Sequence, residues 1–177
     1  VTRDKIIQLK AILSDGSEVT FKDLSDKEFQ QKLKLQSLEG DIYRFIHQKL
    51  STKAVQEEIK KEFPKPEIHR RNTGYAIEEL LNTSIFSSCD SAFYLSKLIS
   101  GSEGTLAFIT EITLQLDKLP PNKNIMIAAH YQTVSGSLND VSIAMQHNLY
   151  TCEMMDKTIL DCTKNNVSQL KNRFFIK

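Results

Sequence analysis

Apolar and polar residues alternate at the start of the chain. Ile7, Leu9, Ala11 and Leu13 recur at period two within residues 5–13, and Glu18-Val19-Thr20-Phe21-Lys22 alternates again. Ser14-Asp15-Gly16-Ser17 separates the runs. An Asp-Gly pair between alternating segments predicts a β-hairpin with a type I′ turn, whose central residues both need positive φ. The period then becomes that of a helix. Ser25-Asp26-Lys27-Glu28 has the spacing of a capping box, with Leu24 and Phe29 at the positions of a hydrophobic staple. Ile42, Phe45, Ile46 and Leu50 form a stripe that predicts a helix over 39–50. Val55, Ile59 and Phe63 predict another, which Pro64 and Pro66 end. Residues 24–66 therefore read as a helical insert between strands.

Shorter helices are expected around 75–82 and 91–99, where Phe93, Tyr94, Leu95 and Leu98 cluster. Gly101-Ser102-Glu103-Gly104 reads as a tight turn. Leu106, Phe108, Thr110, Ile112, Leu114 and Leu116 then alternate as a long strand. Leu119-Pro120-Pro121-Asn122 has the composition of a linker and marks a domain boundary. Beyond it, a strand over 125–131, a helix over 134–148 and a strand over 150–155 with a helix after it read as an opening β-α-β. Residues 173–177 read as extended. Both ends look cut through structure, and the chain starts at Val1 rather than Met, so truncation is expected.

Composition narrows the function classes. The 177 residues are 40% hydrophobic and 25% charged, as in ordinary globular proteins, and the formal charge is +1. No global field draws nucleic acid or an anionic surface, and no apolar run reaches the roughly 18 residues of a membrane span. A cytoplasmic protein is the default expectation. Cys89, Cys152 and Cys162 are too few and too scattered for a disulfide framework or a cysteine metal site. His47, His69, His130 and His147 show no ligand spacing, so no metal is expected.

Chemistry concentrates at Gly101-Ser102-Glu103-Gly104-Thr105. Two glycines three apart let a backbone turn approach a ligand and present N–H groups to it. A plain helix-to-strand turn needs the same glycines. Arg70-Arg71 could fork onto a phosphate or carboxylate, or form a solvated loop pair. Glu103 and Glu111 do not make an acid–base pair, and Glu111 is expected on the outer face of its strand.

The stretch from Ser96 through Gly101-Ser102-Glu103-Gly104-Thr105-Leu106 to Ile109-Thr110-Glu111 resembles the signature of FAD-linked oxidases of the vanillyl-alcohol-oxidase type. That family includes D-lactate, glycolate and D-2-hydroxyglutarate dehydrogenases. Asn72-Thr73-Gly74-Tyr75 is similar to the family's Asn-Thr-Gly-Tyr segment. Leu13-Ser14-Asp15-Gly16-Ser17 resembles the hairpin opening its second FAD subdomain, and Cys152-Glu153-Met154-Met155-Asp156 resembles a run in its substrate domain. Ala107 and Phe108 stand where the family more often has Gly-Ile.

The resemblance implies an α+β fold. Residues 1–119 would be the second half of a PCMH-type FAD-binding domain, a mixed or antiparallel sheet with helices and the insert. Residues 122–177 would begin a ferredoxin-like substrate domain. It implies FAD as cofactor, with Gly101, Ser102, Gly104 and Thr105 lining it and the backbone at Ile109 and Thr110 facing it. Arg71 and Tyr75 are further pocket candidates, although Tyr75 equally suits a core edge. The family's phosphate-cradling glycine loop would lie before Val1, and its substrate-binding arginine and histidines after Lys177. The parent chain would oxidise a 2-hydroxy acid or similar small carboxylate and could carry an iron–sulfur region. The fragment alone is expected to be inactive. A reading of another class makes the insert a helical protein-interaction module on a catalytically silent sheet. A third makes the chain a non-redox nucleotide binder.

Overall fold

The computed structural model describes residues 2–65, 67–68, 74–174 and 176. A 3-10 turn, Thr2–Lys5, leads into two adjacent strands, β1 (Ile6–Ile12) and β2 (Glu18–Lys22), which pair antiparallel with Leu9 opposite Phe21 and Ala11 opposite Val19. The connection is not the expected type I′ turn. Gly16 has φ +83°, but Asp15 does not share it. Gly16 N–H donates to Leu13 O and Leu13 N–H to Ser17 O, both at 3.0 Å, which is a three-residue loop with a glycine bulge. The Asp15 carboxylate favours this form by accepting from Ser17 N–H and Oγ–H at 2.9 and 2.6 Å.

The third strand, β3 (Phe108–Leu114), pairs antiparallel with β1 and completes a sheet of order β2-β1-β3. Two register shifts correct the sequence reading. One lies between Ile6 and Gln8, so Ile6 joins Leu9 and Ala11 on the core face and Ile7 is left 47% exposed. The other lies between Lys10 and Ala11, which pair with Glu111 and Ile109 and leave Thr110 as the extra residue. Ile109 and Ile112 consequently share the core-side face. Phe108, opposite Ile12, turns to the other face, where it is 71% exposed. The strand is also shorter than the expected 106–116.

Helices cover the core side. In α1 (Asp26–Leu33) the capping box is formed: Ser25 Oγ accepts from Glu28 N–H at 3.4 Å, and Glu28 Oε2 accepts from Ser25 N–H at 2.9 Å. α2 (Leu38–Leu50) buries Tyr43 and Leu50, while Phe45, expected on the apolar stripe, is exposed. Tyr43 and Leu50 are seven apart and stack on one face, whereas Phe45 is turned about 200° from Tyr43. α3 (Lys53–Glu62) stops at Phe63, held extended before Pro64. α4 (Ile77–Leu81) and α5 (Ser96–Ile99) are shorter than expected. In place of helix at 93, Phe93 N–H and C=O exchange hydrogen bonds with Leu24 at 2.9 and 2.8 Å.

One core results. Leu9, Ala11, Val19 and Phe21 of the sheet pack in the same cluster as Leu24, Phe29, Tyr43 and Leu50 of the insert and as Leu80, Phe93 and Ile99. Edge-on contacts of Phe29 with Phe93 (4.7 Å between centroids) and Tyr43 (5.8 Å) lie at its centre. The insert is part of the core rather than an appendage.

The chain divides into two units, Val1–Lys118 and Leu119–Lys177. The first is a small α+β fold. In the second, α6 (Val134–Ala144), α7 (Lys157–Cys162), α8 (Val167–Leu170) and a 3-10 turn (Lys171–Arg173) are present. The strands expected over 125–131 and 150–155 are not; Arg173 and Phe174, expected to begin an extended segment, lie in a turn, and residues 175 and 177 fall outside the described residues. Alternation supplies a face but no ladder partner, and no described residue of this unit is buried. Among the described residues no helix is long and apolar enough to cross a membrane.

Candidate functional site

The glycine turn follows directly from the end of α5. Ser102 is buried, its N–H donating to Ile99 O at 3.1 Å and its hydroxyl to the same oxygen at 2.8 Å. Glu103 and Gly104 then take φ of +51° and +77°, and Thr105 N–H donates to Ser102 O at 3.0 Å. Two central residues at positive φ under such a bond are the requirement of a primed type I turn. The Thr105 hydroxyl donates to Ser102 O at 2.6 Å, so in its 2.5 Å contact with Tyr75 the tyrosine is the donor. Tyr75 thus braces the turn from the segment before α4.

Beside this turn lies an open groove of about 430 Å³. Ile6, Leu9, Ile109, Ile112 and Leu114 of β1 and β3 contribute apolar lining, and Gly74, Ser100, Gly101 and Glu103 contribute backbone and polar lining. Both bulges matter here, because they bring Ile6 and Ile109 to the groove side of the sheet. Thr2 and Arg3 complete the lining. A Cβ on Gly101 would lie 2.6 Å from Arg3 Nη2 and 3.3 Å from Gly74 O. The glycine therefore lets the guanidinium lie against the turn. Among the described residues, Arg3 Nε is buried with no hydrogen-bond partner. The neighbouring Asp4 carboxylate lies 3.7 Å from Lys97 Nζ.

Of the residues singled out in the sequence, Gly101 and Ile109 line the groove. Ser102 lies buried in the turn with its hydroxyl engaged, and Gly104 and Thr105 form the turn itself. Thr110 occupies the β3 bulge, its hydroxyl donating to Lys10 O at 3.2 Å. Arg71, with Arg70, falls outside the described residues. Glu111 pairs with Lys10 at 2.9 Å on the outer face. Sequence reasoning missed Arg3, Ile6, Ile112 and Leu114 as groove residues. Their common signal, an arginine just ahead of a bulged strand, has no meaning until the pairing is known. Among the described residues no group of His, Cys, Asp and Glu could hold a metal ion.

The chain is similar to several curated proteins. It is 25% identical over 166 residues to a D-2-hydroxyglutarate dehydrogenase of Escherichia coli, which covers 94% of this chain and 15% of the relative. To the D-2-hydroxyglutarate dehydrogenase of Pseudomonas putida it is 26% identical over 160 residues, 90% of this chain and 15% of the relative. A mitochondrial cytochrome D-lactate dehydrogenase of Arabidopsis thaliana is 48% identical over 50 residues, 28% of this chain and 8% of the relative. The chain thus spans about 15% of the length of the first two. These names agree with the resemblance to FAD-linked oxidases carried by the glycine turn. No family model matches the chain, and no solved structure matches it.

Proposed function

We propose that this chain forms part of the FAD site of a dehydrogenase acting on a 2-hydroxy acid. Residues 1–119 would be the second half of the FAD-binding domain and 122–177 the beginning of the substrate domain. The observation that carries the reading is the groove itself: the turn bearing the family-like signature and the strand that follows it line the same concave space. Its apolar strand lining suits a flat ring system, and Gly101 permits close backbone approach. FAD, when bound, supplies hydride-accepting chemistry, and the protein supplies position and electrostatics. In this chain Gly101 and Ile109 would contact the cofactor directly, while Ser102, Thr105 and Tyr75 hold the turn in shape. The similarity over most of the chain to proteins named D-2-hydroxyglutarate dehydrogenase favours a 2-hydroxy acid as substrate.

The interaction-module reading is disfavoured because Leu24, Phe29, Tyr43 and Leu50 of the insert are committed to the core. A chimera tests the flavin reading: this chain replaces the matched segment of the Escherichia coli relative, and bound flavin is measured by absorbance after purification. Stoichiometric flavin that is lost on Gly101→Phe is the expected result. A folded chimera without flavin would sink the proposal.

A further inference from the structure

We propose that the open edge of β2 is a self-pairing surface, on which a second copy of this chain docks antiparallel and extends the sheet across a two-fold axis. β2 lies at one end of the order β2-β1-β3. The direction of its backbone groups follows from its two ends. Ser17 O accepts from Leu13 N–H, so the odd-numbered residues turn toward β1. Leu24, of the opposite parity, exchanges bonds of 2.8 and 2.9 Å with Phe93 instead. Strand alternation carries these directions along β2. Glu18, Thr20 and Lys22 therefore present N–H and C=O to the open edge, and among the described residues none of these groups has a backbone partner outside the sheet. The Leu24–Phe93 bridge ends the open stretch, so a ladder here covers residues 18–22.

Two further observations select a second copy of β2 as the occupant. The first is shape. The β1–β2 register runs from Gln8 opposite Lys22 to Ile12 opposite Glu18 without a shift, whereas the β1–β3 pairing carries two. Bulges spoil an edge for pairing, and β2 has none. The second is charge. In an antiparallel pair centred on Thr20, Glu18 of each copy faces Lys22 of the other, and the two Thr20 side chains face each other. All three side chains stand on the exposed face, while Val19 and Phe21 stay in their own core, 8% and 1% exposed. Opposite charges and paired threonines are favourable cross-strand neighbours. The same operation on β3, centred on Glu111, sets one carboxylate against its copy, which is unfavourable. Lys22 also lies 3.1 Å from Glu28 of its own chain, so its ammonium would sit between two carboxylates. Five residues a side make a small contact, and the pairing is a reversible equilibrium that depends on concentration. It is independent of the flavin reading.

The test is sedimentation velocity of the 177-residue chain over a range of concentrations, beside Glu18→Lys, Lys22→Glu and the double variant. Wild type should approach a dimer as concentration rises. Each single variant sets like charges together at both ends of the ladder and should weaken dimerisation about tenfold. The double variant restores opposite charges and should regain it. A mixture of the two single variants should associate more tightly than either alone. Circular dichroism establishes that each variant is folded. Amide exchange read by NMR resolves the ladder: Thr20 and Lys22 should gain protection with concentration far more than Val19 and Phe21, which already bond to β1. A wild-type chain that stays monomeric would overturn the proposal. Association that all the variants keep unchanged would also overturn it, by placing the contact elsewhere. So would protection of Thr20 and Lys22 that ignores concentration, because the edge would then be covered within the chain.

Discussion

Tyr43 shows how a single atom can work against an otherwise well-packed core. Its ring is fully buried and meets Phe29 edge-on, yet among the described residues its hydroxyl has no hydrogen-bond partner. Burial pushes the phenol well above its ordinary range, and Glu39 adds to the shift, so the group stays protonated throughout the folded range of pH. The ring is therefore favourable and the oxygen is not. Tyr43→Phe keeps the ring and removes the unsatisfied group, and should raise stability by about 1 kcal/mol in urea unfolding. Tyr43→Leu should lower it, because the aromatic contacts with Phe29 and Phe93 are lost. A Phe variant clearly less stable than wild type would mean that the hydroxyl has found a partner.

Elements divide by whether their cause is local. The cap of α1 is written in four consecutive residues, and the sequence reading agrees with it atom for atom. Hydrogen bonds from Ser25 side chain and backbone, then the bond and charge from Lys22 at 3.1 Å, hold the Glu28 carboxyl down at about 2, from an ordinary 4.5. A carboxyl depressed in the folded state stabilises it above the unfolded value and loses that effect as pH falls through the folded one. Glu28→Gln keeps the shape of the cap without the charge. Its melting temperature should fall below wild type near neutrality, and the gap should close between about pH 4.5 and 2. A gap that persists at pH 2 would assign the effect to shape alone. The sheet is different. Its bulges at Ile7 and Thr110 arise from pairing between distant segments, so period two along each strand could not show that Ile7 and Phe108 leave the core side. The candidate site follows the same division: the glycine turn is local and legible, whereas Arg3 reaches Gly101 only once β1 and β3 are paired.

At the scale of the whole molecule, the two units differ in what they bury. In the first, Leu9 and Ala11 sit on the central strand, bonded on both sides and at most 1% exposed. In the second, no described residue is buried, and Ile125, Met126 and Ile127 are 90, 74 and 85% exposed. The alternation that predicts a strand over 125–131 is real as a pattern, but across residues 117–132 no backbone N–H finds a backbone acceptor among the described residues. A pattern makes a strand only when a neighbour completes the ladder. Amide exchange separates these states, because protection reports the free energy of opening each hydrogen bond. Exchange of the 177-residue chain, read by mass spectrometry at two protein concentrations, should be slow at residues 9–11 and close to the unprotected rate at 124–131. Protection at 124–131 that is independent of concentration would show a ladder formed within the chain, and the extended reading of that segment would be restored. Protection that rises with concentration would show the ladder formed between copies.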